Sequence, residues 1–389
     1  MRRQASLAIL FVIVFIDLLG FGMVIPVLPL YAKALGAKEA WVGLLSSGYS
    51  AMQLVFAPIW GRLSDRVGRR PILLASIAMT SVAFALYGFA SDFAWLLVAR
   101  LFAGVATANI AIAQAYVADV TTPQTRAKGM GLIGAAFGLG FVLGPAFGGV
   151  LSRHSLAAPS FAAALLAALN LVAAFAILGE PGQRRKASHG ARPGGLAPLR
   201  AELSRPGVLA LILIYFLAIS AFSAMENTYA FLANERYRIE ARNVFWLFAY
   251  IGIIVVAVQG GLIGPLAKRF GEKRLLVAGV LLEGLGLAAL PFAGGIPGLL
   301  AATAPLAVGS GLANPSLSAL LSRRARADDQ GGTLGLGQSA AAFGRIVGPE
   351  AGTFTYSSYA PGFPYVGGAL LMAAAAYIAA GTRDPVPEE

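Results

Sequence analysis

The chain has 389 residues, 58% of them hydrophobic and only 12% charged, whereas a soluble chain carries about a quarter charged. That balance excludes a soluble globular protein and marks an integral membrane protein. The chain has no cysteine, and its two histidines, His154 and His189, fall in loops, so disulfides, cysteine metal sites and a histidine-rich metal centre are excluded too.

Apolar runs long enough to cross a bilayer fall at about 6–31, 40–61, 71–90, 93–118, 127–152, 158–179, 206–232, 243–266, 273–292, 296–321, 331–357 and 362–381. They predict an all-α membrane protein of about twelve spans. The first run is too long for a signal-peptide core and contains Asp17, so it reads as a retained helix. An even number of spans puts both termini on one side. Placing them in the cytoplasm leaves most of the 30 Lys and Arg residues inside, as the positive-inside rule requires. The net charge of +12 is therefore a topology signal, and no nucleic-acid partner is expected. The expected location is a cytoplasmic (inner) membrane.

Segment 180–205, rich in Arg, Pro and Gly, reads as a solvated basic linker. It divides the chain into six-helix bundles over 1–179 and 206–389, the second ending in a short cytoplasmic tail. The halves repeat. Gly61-Arg62-Leu63 returns as Gly264-Pro265-Leu266 at an offset of 203, and Gly140-x3-Gly144-Pro145-x2-Gly148 returns as Gly344-x3-Gly348-Pro349-x2-Gly352 at an offset of 204. Parallel six-helix repeats around a midplane site are a transporter architecture.

Ionisable residues inside a membrane cost about 2.5–3.5 kcal/mol each on insertion scales and are usually functional. In chain order they are Asp17, Arg100, Glu226, Glu283, Arg345 and Glu350. Asp17 precedes Pro26-Val27-Leu28-Pro29 in the first span. Burial disfavours a charged carboxylate and a nearby cation restores it, so a buried acid with a movable cationic partner can load and release a proton. The charged island Gly61-Arg62-Leu63-Ser64-Asp65-Arg66-Val67-Gly68-Arg69-Arg70-Pro71 follows the second span. Its arginines mark it as cytoplasmic, Gly61 and Gly68 read as a tight reversal, and Pro71 suits the first turn of the next helix. Arg100 lies in Leu96-x3-Arg100-x3-Gly104-x3-Ala108, where small residues admit a neighbouring helix. Gln114 falls about 40° from Arg100 around that helix, on the same cavity side. Asp119 closes the fourth span. Gly140, Gly144, Pro145, Gly148 and Gly149 make a close, bent helix contact in the fifth.

The charged island resembles the loop between helices 2 and 3 of the major facilitator superfamily, with pattern G-x-L-x-D-R-x-G-R-[RK]. Leu96, Arg100, Gly104 and Ala108 match the family's helix 4 motif, with Ala103 where the family has glutamine. Gly140 to Gly149 copies its helix 5 motif, G-x3-G-P-x2-G-G, which in the family marks proton-coupled exporters. Asp17 ahead of Pro26-Val27-Leu28-Pro29, Asn314-Pro315-Ser316 and Asp329-Gln330-Gly331 resemble the tetracycline/proton antiporter branch. The resemblance implies that Arg100 helps to control protonation of Asp17. It implies a cytoplasmic latch from Gly61, Asp65, Arg66, Gly68, Arg69 and Arg70, in which Asp119 pairs with Arg69 and Asp65 faces the start of helix 11. It also places helices 7 and 11 along the substrate cavity and helix 9 outside it. Glu226 and Glu350 therefore rank above Glu283, with Arg345, Gln114 and Asn314 as further cavity candidates.

The functional expectation is a monomeric exporter of a small amphipathic, drug-like compound in exchange for protons. The proton gradient is its energy source, lipids are its surroundings, and no cofactor or metal is required. Lipid or glycolipid flipping and a non-transporting sensor on the same fold are the alternatives. No G-x4-G-K-[ST] loop supports nucleotide-driven pumping, and neither H-E-x-x-H nor G-x-S-x-G supports an enzyme.

Overall fold

The computed structural model describes residues 2–107, 112–113, 116–117, 136, 139–140, 143–179, 204–205, 207–240, 243–324 and 330–382. Their regular elements are all helical, the open-chain solution that satisfies every backbone polar group inside a bilayer. Nine helices among the described residues are long and apolar enough to cross a membrane. Outward-facing Val98, Val172 and Leu370 are 64%, 67% and 67% exposed. Such residues meet lipid tails at no hydrophobic cost.

The first span is broken. Helix α1 (Arg2–Val24) passes through a 3-10 turn, Ile25–Val27, into α2 (Leu28–Ala34). Pro26 and Pro29 sit in the opening turns of these two pieces, where a missing N–H leaves no partner unsatisfied. Helix α3 (Glu39–Val67) and α4 (Arg69–Gly88) are joined by Gly68 alone, at φ 127°, which favours glycine. Gly61 is not a reversal: α3 runs straight through it, and a Cβ there would meet open space. The charged island is thus the last turns of one helix and the first turn of the next, with Pro71 in that first turn as expected.

Helix α5 (Phe93–Ala106) starts at Asp92, whose carboxylate accepts from the Trp95 amide at 2.8 Å. Helix α5 closes at Ala106 with Thr107 as its cap, and most of the rest of the span expected over 93–118 lies outside the described residues. Side chains from neighbouring helices donate to the carbonyls at this end. Trp60 Nε1 donates to Val105 O at 2.8 Å, Gln53 Nε2 to Thr107 O at 3.4 Å, and Ser76 Oγ to Ala106 O. A helix terminus inside a membrane needs such partners.

Helices α6 (Leu143–Ser152), α7 (Ala158–Ile177) and α8 (Val208–Tyr237) follow. Helix α9 (Val244–Ala257) passes through a π turn, Val258–Leu262, into α10 (Ile263–Phe270). Helices α11 (Glu272–Ala289), α12 (Gly295–Arg324), α13 (Gln330–Ser358) and α14 (Phe363–Gly381) complete the chain order.

The chain forms two compact bodies. The first holds Met1–Lys38, Leu44–Gly190 and Ala233–Tyr250. Its core includes Ile13 and Leu18 of α1, Leu73 and Ile77 of α4, and Ala174 of α7. Its segment Ala233–Tyr250 is tied in by Lys33 Nζ, which donates to Glu235 at 2.7 Å. The second body holds Glu39–Gly43, Ala191–Leu232 and Ile251–Glu389. There α11 packs closely on α12, because a Cβ on Gly279 would lie 2.8 Å from Ala313 N and one on Gly286 only 2.6 Å from Leu306 N. The linker expected over 180–205 lies almost wholly outside the described residues.

Candidate functional site

Arg100 is the most instructive buried group of the first body. It is 2% exposed, in the middle of α5. Its guanidinium lies over two aromatic faces, 4.2 Å from the Tyr49 ring centroid and 5.5 Å from that of Phe21. The two rings sit 5.5 Å apart and tilted by 38°. The Tyr49 and Thr107 hydroxyls are hydrogen-bonded at 2.7 Å, and Thr107 also donates to Ala103 O at 2.9 Å. Tyr49 comes from α3, Phe21 from α1, and Thr107 caps α5. Backbone contact makes this possible: Gly104 of α5 lies so close to Tyr49 and Met52 that a Cβ there would be 2.8 Å from the Met52 Cβ. Aromatic faces attract a cation while leaving its charge intact.

Asp17 is half-buried, one turn before Phe21 on α1. The Asp17 turn and the Arg100 cage therefore adjoin. On a nearby face of α1, a Cβ on Gly20 would lie 3.1 Å from the Phe84 ring of α4 and 3.3 Å from Ala163 of α7. Asn170 of α7, 1% exposed, donates from Nδ2 to Ile13 O at 3.2 Å, and its Oδ1 has no partner.

The glycine motif of the fifth span packs on the opposite side of α1. A Cβ on Gly140 would lie 2.7 Å from the Leu18 Cβ, one on Gly144 2.6 Å from the Gly22 Cα, and one on Gly148 2.6 Å from Met23 O. Pro145 lies within α6, and Gly149 backs onto the Phe245 ring. The repeat has the same contact: Gly344 and Gly352 of α13 press on α8, a Cβ on Gly344 lying 3.0 Å from Phe216 O and one on Gly352 2.8 Å from the Ala224 Cα.

In the charged island, Arg69 Nη1 donates to Ser64 Oγ at 2.6 Å. Arg70 Nη2 donates to Phe175 O, in the last turn of α7, at 2.7 Å, and its guanidinium lies 5.3 Å from the Phe175 ring. A cation at a helix C-terminus complements the helix dipole. Arg66 is exposed. The Asp65 side chain, Gln114 and Asp119 lie outside the described residues, and so do the contacts expected of them.

Glu226 of α8 and Arg345 and Glu350 of α13 are half-buried. Glu283 of α11, ranked below them on sequence, is the more deeply buried at 3% exposure, against Gly309 of α12. Asn314 Nδ2 donates to Ser310 Oγ on its own helix at 3.3 Å. Where the first half carries Arg100, the repeat carries Thr303. Its hydroxyl donates to Leu299 O at 2.7 Å and bonds the Tyr229 hydroxyl at 2.7 Å.

Sequence reasoning missed Phe21, Tyr49 and Asn170. Aromatic residues abound in the spans, so nothing marks Phe21 or Tyr49 before the helices are placed. Asn170 left a signal: it is the one amide side chain in the apolar helix Ala158–Ile177.

A family model described as the Major Facilitator Superfamily matches residues 10–263 and 246–389. Over 381 residues the chain is 33% identical to a class C tetracycline resistance protein of Escherichia coli, covering 95% of each. It is 34% identical over 386 residues to a class G tetracycline resistance protein of Vibrio anguillarum, again covering 95% of each. The crystal structure of the human organic anion transporter MFSD10 (TETRAN) is 25% identical. It covers 97% of this chain and 99% of its own, with a TM-score of 0.72.

Proposed function

The chain belongs to the major facilitator superfamily and is a multi-pass membrane transporter rather than an enzyme, and on that premise we propose that it exports a small amphipathic, tetracycline-like compound in exchange for protons. The observation that carries this reading is Arg100, a guanidinium 2% exposed in a membrane helix, caged by Phe21 and Tyr49 one turn from Asp17. A buried cation close to a membrane-embedded acid is an arrangement that can trade a proton for substrate. Protonation of Asp17 and substrate binding then bias one two-state equilibrium, and alternating access follows. The relatives named for tetracycline resistance support the substrate class. The orientation has both termini in the cytoplasm of a cytoplasmic membrane, the charged island acts as the latch on that side, and the proton gradient replaces any cofactor.

The test is transport into inverted vesicles under an imposed pH gradient, with tetracycline, a cationic amphiphile and a headgroup-labelled lipid as parallel substrates. Tetracycline uptake that collapses with the gradient is expected. Asp17→Asn is expected to abolish gradient-driven uptake while keeping substrate binding, since the amide mimics the protonated acid. Wild-type uptake by that variant removes Asp17 from coupling, and transport of the lipid alone replaces the substrate class.

A further inference from the structure

We propose that Asn170 is a positioning residue for the Asp17 proton, its unpartnered carbonyl oxygen accepting a hydrogen bond from the carboxyl group only when that group is protonated. Asn170 is 1% exposed and approaches α1 from α7. Its Nδ2 donates to Ile13 O at 3.2 Å, the carbonyl that the Asp17 amide reaches across one helical turn. This single bond fixes the plane of the amide and leaves Oδ1 buried without a partner.

The direction of the Asp17 side chain brings the two together. Side chains on a helix lean toward its N-terminus and cover the preceding turn. Asp17 therefore lies over the turn of Ile13, where the Asn170 amide sits. Around α1, Ile13 is about 40° to one side of Asp17 and Phe21 about 40° to the other. On the Phe21 side stands the Arg100 guanidinium, 5.5 Å from that ring. The carboxyl group thus lies between a cation and an acceptor.

These two neighbours favour opposite protonation states. An ionised carboxylate only accepts hydrogen bonds, and so does an amide oxygen, so neither satisfies the other. A carboxylic acid donates one. Taking a proton from water turns one carboxylate oxygen into an O–H that donates to Asn170 Oδ1. Releasing the proton to water breaks that bond and returns the charge to the field of Arg100. A buried acceptor without a donor carries a desolvation penalty, and here the penalty is relieved only in the proton-loaded state.

Among the described residues the titratable groups near this part of α1 are few: Tyr116 shares the core with Ile13 and Leu18, its hydroxyl donating to Gly179 O at 2.6 Å. Helix α7 carries none between Ala158 and Ile177, and α6 none between Leu143 and Ser152. Helix α5 brings Arg100 alone. Helix α4 brings Tyr87 beyond Phe84, and Arg69 and Arg70 at its far end. Helix α3 brings Tyr49 to the Arg100 side, its remaining charges lying at its two ends.

The role in transport rests on the proposed function, but titration of Asp17 can be read without transport. The measurement is infrared difference spectroscopy of the full chain in lipid across a pH series, with the Asp17 carboxylic band assigned by its loss in Asp17→Asn. Asn170→Leu is expected to move the midpoint of that band toward acid by roughly half to one pH unit. Asn170→Asp places a second carboxyl group at the same spot and is expected to move it toward alkali. A purely structural role does not give shifts of opposite sign. Should Asn170→Leu fail to fold, the Asp variant decides alone, its own band identified in the Asp17→Asn background. An unmoved midpoint overturns the proposal. Shifted midpoints in a protein whose transport ignores the pH gradient would uphold it and sink the antiport reading.

Discussion

A guanidinium at the centre of a membrane helix costs about 2.5–3.5 kcal/mol on insertion scales. Arg100 sits where ring faces offset part of that cost, by about 0.5–2 kcal/mol for a desolvated cation. The nearer face belongs to Tyr49, at 4.2 Å. Tyr49→Phe keeps the ring and removes the hydroxyl that bonds Thr107, whose own hydroxyl still donates to Ala103 O. That variant is expected to export at a near wild-type rate. Tyr49→Leu removes the quadrupole, and a roughly 3- to 30-fold fall in rate is expected. Ring-fluorinated phenylalanines at position 49 should lower the rate stepwise as the ring face loses electron density. Equal rates across that series would show that Tyr49 acts by packing alone. That Asp17 and Arg100 sit within apolar helices was legible in the sequence, because a charge in an apolar run stands out. Tyr49 was not, because its meaning is a contact with a residue on another helix.

At the scale of elements, glycines set how closely helices approach. Gly144 and Gly61 provide a matched comparison. A Cβ on Gly144 would lie 2.6 Å from the Gly22 Cα, so α1 and α6 must separate to admit it. Gly144→Ala is expected to destabilise by about 1–3 kcal/mol, as overpacking does. Gly61 stands inside α3 with open space around it. Gly61→Ala is expected to stabilise by roughly 0.5–1 kcal/mol, the difference in helix propensity. Thermal unfolding midpoints of the two variants in detergent check both signs together. A destabilising Gly61→Ala would mean that this glycine faces a close partner. The motif around Gly144 was legible because its period of four residues along a helix is itself a packing signal. Gly61 was misread as a turn because glycine marks both reversals and helix faces, and only backbone geometry separates them. Gly68 is the reversal, at φ 127°. The end of α5 at Ala106 was equally invisible: Trp60, Ser76 and Gln53 donate to its carbonyls from far along the chain.

At the scale of the whole molecule, the same glycine contacts occur twice, with different polar groups beside them. The glycine contacts recur, α6 on α1 and α13 on α8. This scaffold was legible from the sequence offset alone, because close packing demands the same small residues in both copies. The polar sites diverge. Arg100 in a cage of rings corresponds, by the offset of 203, to Thr303, a neutral hydroxyl bonded to Tyr229 at 2.7 Å. Thr303 gives its proton to Leu299 O, so Tyr229 is the donor in their pair. None of the three groups in these bonds carries a charge, and a structural contribution is expected of Thr303. Thr303→Val is therefore expected to cost about 1–3 kcal/mol of stability, because it removes both bonds of the hydroxyl and takes this acceptor from the buried Tyr229. Arg100→Leu, at the corresponding place, should instead separate two modes of transport in proteoliposomes. Gradient-driven uptake should fall by at least about tenfold relative to substrate counterflow, a difference of about 1.4 kcal/mol in the coupled step. Thr303→Val should leave the ratio of the two modes at its wild-type value. If it uncouples them as Arg100→Leu does, the division of labour between the halves fails, and proton coupling must be sought in both.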